Sequence, residues 1–228
     1  ERSITLRPEA TASAARADVE NGIYNTQGLV KWYYIGPMFR NERPQAGRSR
    51  QFYQTGVEVI GSLSPLVDVE VISLAQGILH DFGIAQGAVI KLNTLGTKED
   101  KQSYAKVLRE KLEAHKSLLC ENCRERLSRN VLRILDCKNE ECRRVLVKLP
   151  SSYEFLSAES KEHFDQVKEG LDAAGIAYTL DPYLVRGLDY YTRTTFEIRH
   201  CALGAQDALG AGGRYDNLIA QMGGQATP

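Results

Sequence analysis

The chain has 228 residues and equal numbers of basic and acidic side chains, 29 of each. That length buries a real core and fits one large domain, or one domain plus an insert. Balanced charge argues against a nucleic-acid binder driven by bulk charge but leaves room for a local basic patch. No apolar run approaches a membrane span and the N-terminus is not a signal peptide. A cytoplasmic setting with reduced cysteines is therefore expected. The chain opens at Glu1 without an initiator Met, which reads as a trimmed piece of a longer protein.

Residues 29–40, aromatic and β-branched, read as a strand, and residues 51–60 as a second. The polar loop between them, with Pro44 and Gly47, is too long for a tight hairpin turn. Pro65 opens a helix to about Phe82, with Val71, Leu74, Ala75, Ile78 and Phe82 as its expected inner face and Gly83 as its stop. A strand follows at 88–95. Composition changes at Gly96. Thr97-x-x-Asp100 has the form of a capping box, and the helix it starts runs to about Leu119 with Val107, Leu108, Leu112 and Leu119 as its stripe. A further helix over 158–174 places Phe164, Val167, Leu171 and Ala174 inward, with Gly175 to end it. Strands return at 176–184 and 190–199, and glycine-rich residues 204–213 lead to a helix near Arg214.

Strands and helices alternate too rarely for a doubly wound parallel sheet. The expected class is α+β: an antiparallel sheet flanked by helices, with a mainly helical inserted domain. The division is drawn at 1–96, 97–174 and 175–228. Charge is uneven along the chain. Residues 105–148 carry twelve Lys/Arg against seven Asp/Glu. Such a window is either a solvated helical face or a surface for RNA.

Four of the five cysteines fall at Cys120, Cys123, Cys137 and Cys142. The first pair has metal-knuckle spacing and the second is looser. A structural four-thiolate zinc site and ordinary reduced thiols are both open readings. The four histidines are scattered and give no catalytic metal set.

On the second strand, period two puts Phe52, Gln54 and Glu58 on one face, with Gly56 leaving space between them. That face is either solvated or a polar pocket, since an unpaired buried carboxylate costs several kcal/mol, roughly. Arg40, Arg43, Arg48 and Arg50 surround the loop; guanidinium forks bind phosphate bidentately, although a solvated loop would also carry them.

Two stretches carry a resemblance. Met38-Phe39-Arg40-Asn41-Glu42 with Arg48-Ser49-Arg50-Gln51-Phe52-Tyr53-Gln54 resembles motif 2 of class II aminoacyl-tRNA synthetases. Val185-Arg186-Gly187-Leu188-Asp189-Tyr190-Tyr191 resembles the arginine segment peculiar to histidyl-tRNA synthetase, bacterial type. Leu6-Arg7-Pro8-Glu9-Ala10-Thr11 is similar to that family's amino-acid turn, and Ala208 through Tyr215 to its second histidine-specific segment. The resemblance covers nearly the whole chain.

It implies a histidine–tRNA ligase. L-histidine and Mg²⁺-ATP form histidyl-adenylate, and the histidyl group passes to tRNA(His). Arg40 and Arg186 flank the α-phosphate as the catalytic pair, and Glu42, Arg48 and Phe52 complete the ATP site. The histidine site comprises Glu9, Ala10, Thr11, Arg40, Gln54, Glu58, Arg186, Tyr190, Tyr191 and Tyr215. Glu58 and Tyr191 meet the two imidazole nitrogens, and Tyr215 borders the amino group. A homodimer is implied, with the insert against the tRNA acceptor arm. The family's motifs 1 and 3 are expected outside residues 1–228, so these residues alone should bind histidine weakly and not turn over. The alternatives are a non-catalytic paralogue, such as the histidine-sensing regulatory subunit of ATP phosphoribosyltransferase, and a tRNA-sensing synthetase-like module.

Overall fold

The computed structural model describes residues 4–23, 26–44, 48–203 and 208–228. Gly47 and residues 204–207 of the glycine-rich segment lie outside the described residues. Strands β1 (Val30–Phe39) and β2 (Gln51–Ile60) form a two-stranded antiparallel sheet, with Val30 opposite Ile60 and Phe39 opposite Gln51. Helix α1 (Thr11–Asn21) precedes them and ends on Gly22 at φ 62°, the left-handed cap glycine adopts readily.

A second sheet has the order β4-β3-β5-β6, formed by β3 (Ala88–Thr94), β4 (Tyr178–Leu180), β5 (Thr192–His200) and β6 (Ala208–Arg214). The α+β class stands, with two differences. The β-structure is split into two sheets, and β4 runs parallel to β3. A parallel neighbour needs a long crossover, and residues 95–177 supply it.

The described part of the glycine-rich segment, Ala208–Arg214, is strand β6, paired with β5, and the helix expected near Arg214 starts later. Glycine lacks strand propensity, but the ladder bonds need no side chain, and two of these glycines are required by their neighbours. A Cβ on Gly212 would meet the Phe196 ring at 2.7 Å, and one on Gly213 the Thr194 carbonyl oxygen at 2.7 Å. The helix that follows, α7, is only Leu218–Gln221.

Helix α2 (Pro65–Asp81) is capped by Ser64, which accepts from the Leu66 amide. Its fully buried residues are Val69 and Ile72; of the predicted face, Val71 and Ala75 pack against the same core, while Leu74 is 45% exposed and Phe82 76%. The helix is apolar on most sides, so periodicity alone could not choose between faces. Helix α6 (Ala158–Ala173), drawn within 97–174, turns Phe164, Val167 and Leu171 onto α2 and the four-stranded sheet. Ala174 is its exposed C-cap rather than part of that face.

The Thr97/Asp100 capping box is present at the start of α3 (Lys98–Glu113). Tyr104, Leu108 and Leu112 of α3 join Leu119, α4 (Glu121–Arg129) and α5 (Glu140–Leu146) in a separate apolar core. Among the described residues no helix is long and apolar enough to cross a membrane.

One buried ionic knot ties α2 to β6. Arg214 donates to Asp68 at 2.7 Å and to the carbonyls of Ser62 and Ser64 at 2.7 and 2.9 Å, and it pairs with Asp216 at 3.2 Å. His163 on α6 lies 3.6 Å from Asp68, and burial lowers its pKa. Arg214→Ala leaves Asp68 buried without its main partner, so stability should fall by about 3–5 kcal/mol in urea denaturation at pH 8. The loss should shrink as pH drops through the His163 titration. Without the neighbouring guanidinium that ring protonates more readily and pairs with Asp68. An equal loss at pH 5 and pH 8 would rule out this compensation.

Candidate active site

Helix α1, β1, β2 and the segment after β6 converge on Glu58. Its Oε1 accepts from Thr11 Oγ1 at 2.7 Å and Tyr34 Oη at 3.2 Å, and its Oε2 accepts from Tyr215 Oη at 2.6 Å. The predicted alternation on β2 holds here, because Glu58 and Ile60 are buried while Gln51, Tyr53 and Thr55 are exposed. The space expected at Gly56 is filled. Tyr34 sits directly opposite, and a Cβ at Gly56 would lie 2.2 Å from its ring. An aromatic packed over a strand glycine is the signal that could have added Tyr34 to the predicted residues.

Burial pushes the Glu58 carboxyl up, outweighing the three hydroxyl donors that pull it down. Tyr34 and Tyr215 are also pushed up, by burial first and the Glu58 charge second, and so keep the protons they donate. Tyr190 and Tyr191 stack at 4.6 Å between centroids, and Tyr190 meets Tyr215 edge-on at 6.0 Å. Glu9 raises the pKa of Tyr34, Tyr190 and Tyr191, which places its charge near the same group. Its carboxylate also accepts from the Ala12 amide at 3.1 Å, the helix-cap role that an acid at this position can take. Ala10, the N-cap, is buried.

A cleft of about 410 Å³ opens beside this group, lined among others by Thr11, Tyr34, Gln54, Glu58, Tyr191 and Tyr215. Val71, Leu74, Ala75 and Ile78 of α2 also line it, and Val71 and Ala75 pack against the sheet core as well.

Arg186 donates to Glu197 Oε2, and Arg199 holds the other oxygen of Glu197 at 2.7 Å. Sequence reasoning missed Glu197, since only the fold brings β5 beside the Arg186 segment. Two buried polar atoms in this segment, Arg186 Nε and Tyr190 Oη, have no hydrogen-bond partner among the described residues. The helical stretch between β3 and β4 grips the same loop. Lys101 Nζ donates to the carbonyls of Asp189 and Tyr191 at 2.9 and 2.8 Å, and Asn130 donates to the Asp189 carboxylate.

At the loop between β1 and β2, Arg40 donates to the Pro8 carbonyl at 2.9 Å, and its guanidinium lies 4.8 Å from the centroid of Phe52. Glu42 and Arg48, both placed in the ATP site by the resemblance, are paired with each other at 2.8 Å. Tyr215, expected to border a substrate amino group, donates to Glu58.

A profile of the histidyl-tRNA synthetase family matches residues 1–228. The chain belongs to the histidyl-tRNA synthetase family. Among its relatives, a histidine–tRNA ligase from Halothermothrix orenii is 51% identical over 227 residues, and one from Desulforamulus reducens is 51% identical over 228. This family member spans about half the length of those relatives, 54% of each. The crystal structure of apo histidyl-tRNA synthetase from S. aureus is 36% identical, with a TM-score of 0.78 over 99% of this chain and 54% of that one. A protein from Bacillus halodurans described as an ATP phosphoribosyltransferase regulatory subunit/histidyl-tRNA synthetase shares the fold at 22% identity and a TM-score of 0.62, covering 97% of this chain and 60% of that one.

Glu58→Gln tests the electrostatics of the pocket. Well below the ordinary glutamate value the carboxyl is protonated in both the folded and unfolded chain. As pH rises toward the raised folded value, ionisation costs the folded state more than the unfolded one. Stability relative to Glu58→Gln should therefore fall from about pH 4 upward and level off above the folded pKa. Urea midpoints of both proteins across that range check it. A rising difference would mean that the three hydroxyls outweigh burial.

Proposed function

We propose that residues 1–228 are the histidine-activating part of a histidine–tRNA ligase. The observation that carries this reading is the buried Glu58, ringed by three hydroxyls, beside the unpartnered Tyr190 Oη and Arg186 Nε. A buried carboxylate with exchangeable hydroxyl partners suits a ligand that brings its own N–H donor. Imidazole does so at one ring nitrogen, and Tyr191 with Tyr190 takes the other. A side chain lacking paired ring nitrogens would leave these groups unsatisfied, a loss of about 10⁴-fold in the strongest cases. Glu9 and Gln54 stand near enough to the cleft to meet the α-ammonium.

Mg²⁺-ATP is the second substrate. Phe52 offers a ring for the adenine, and Arg40, Glu42 and Arg48 hold the nucleotide from the loop side. Adenylate formation is an in-line attack of the histidine carboxylate on the α-phosphorus. The two anions repel each other, and the transition state gathers further negative charge. Arg186 and Arg40 act on it from two sides by position and charge, with no proton transfer. Glu197, itself held by Arg199, keeps the Arg186 fork in place while leaving Nε free to donate. The histidyl group then passes to tRNA(His), with the helical insert drawn at 97–174 and its basic window toward the acceptor arm. A cytoplasmic homodimer completes the reading.

Calorimetric titration of the intact protein with histidine, glutamine and tyrosine tests the pocket. Only histidine should bind, and Glu58→Ala should abolish that binding. In histidine-dependent pyrophosphate exchange, Arg186→Ala should slow the reaction by about 10²–10³-fold. Unchanged histidine affinity in a folded Glu58→Ala protein would overturn the assignment.

A further inference from the structure

The insert holds a second constellation that histidine activation does not use. Cys120, Cys123, Cys137 and Cys142 converge, with all four sulfurs within 4.8 Å of one another and Cys120 Sγ 3.9 Å from Cys137 Sγ. None is in a disulfide. We propose that these four cysteines form a structural site for one zinc ion bound as a four-thiolate tetrahedron.

Geometry is the first argument. Zinc–thiolate bonds of about 2.3 Å at tetrahedral angles set the sulfurs about 3.8 Å apart. One pair already stands near that separation, and the widest needs a contraction of about 1 Å. The two halves of the cluster are built alike. Cys120 is the N-cap of α4 and Cys123 its third residue, while Cys142 is the third residue of α5. The four-residue gap between Cys137 and Cys142, loose as a sequence spacing, is the turn through Asn139. That side chain caps α5 by accepting from the amides of Glu141 and Cys142.

The donor set is the second argument. Cys123 and Cys142 are fully buried, and Cys120 and Cys137 partly so. A backbone donor points at sulfur: the Cys120 amide donates to Cys142 Sγ at 3.2 Å. A neutral thiol is a poor acceptor, whereas a thiolate takes such bonds well. Four soft thiolates without a carboxylate or imidazole select zinc over harder cations. Binding releases the thiol protons and leaves a net charge of about −2 on the site. A cation directly follows three of the four ligands: Arg124, Lys138 and Arg143.

The site's position gives it a task. The cluster is embedded in the insert's apolar core among Leu119, Leu127, Ile134 and Leu146, where short helices and 3₁₀ turns supply little regular structure of their own. A metal joining the starts of α4 and α5 fixes the part of the chain whose Asn130 holds Asp189. The inference does not depend on what the pocket around Glu58 binds.

The test is the zinc content of the intact protein, purified without a metal-affinity tag and measured by elemental mass spectrometry. One zinc per chain is expected, released in step with mercurial titration of four thiols. Replacement by cobalt should give the intense visible bands of a tetrahedral thiolate site. Cys120→Ser, at a partly exposed ligand, should lose the metal, while Cys201→Ser, exposed and outside the cluster, should keep it. A strong chelator should lower the Tm of wild type and Cys201→Ser, with recovery on adding zinc, and leave Cys120→Ser unmoved. A folded wild-type protein with no zinc, five freely reactive thiols and a Tm indifferent to chelator would overturn the proposal, as would iron or a disulfide at the cluster.

Discussion

Placing a carboxylate in the interior is the constraint around which the site is organised. Glu58 is buried, and a carboxylate there is tolerable only when its oxygens are satisfied. The three hydroxyls that do so come from α1, β1 and the segment after β6, up to 157 positions from Glu58 in sequence. Their convergence links the two-stranded sheet to the edge of the four-stranded one. The same bonds shape the cleft, because Tyr34 reaches Glu58 only by lying over Gly56, and Tyr215 only because β6 ends beside it.

A second ionic system ties β5 to α6 and to the segment after β6. Arg193 adopts φ 44°, rare for a residue with a side chain, at an irregularity where β5 shifts its pairing with β6. It is held by backbone bonds to Gly96 and Leu95 and by ion pairs with Glu159 and Asp216. The bulge lies two residues after Tyr191, so the backbone turns where the Arg186 segment hands over to the strand. Strain of this kind persists only where surrounding contacts over-determine it.

The helical stretch between β3 and β4 reaches the site through Lys101 and Asn130. Both hold the loop that carries Arg186, Tyr190 and Tyr191. Its own core is separate from the sheet core, and α6 bridges back by packing on α2 and the sheet. A helical module between β3 and β4 thus serves both as the crossover that makes the pair parallel and as a brace for the loop.

Local signals were legible wherever chemistry is local. The β1–loop–β2 unit, the Thr97 cap and the limits of α6 follow from residue type and spacing, because period and capping are properties of short segments, whereas the motifs around Arg40 and Arg186 were read through their family resemblance. The buried face of α2, strand β6 and the split into two sheets were not legible. An all-round apolar helix has no preferred face until a sheet and a second helix compete for it, and a glycine strand shows itself only beside the Phe196 it must clear. The partners of each functional side chain were also beyond the sequence. It named Glu58 and Arg186; that Glu58 meets Tyr34 and Tyr215, and Arg186 meets Glu197, was decided by tertiary structure, since those contacts join strands whose neighbours only the completed fold selects.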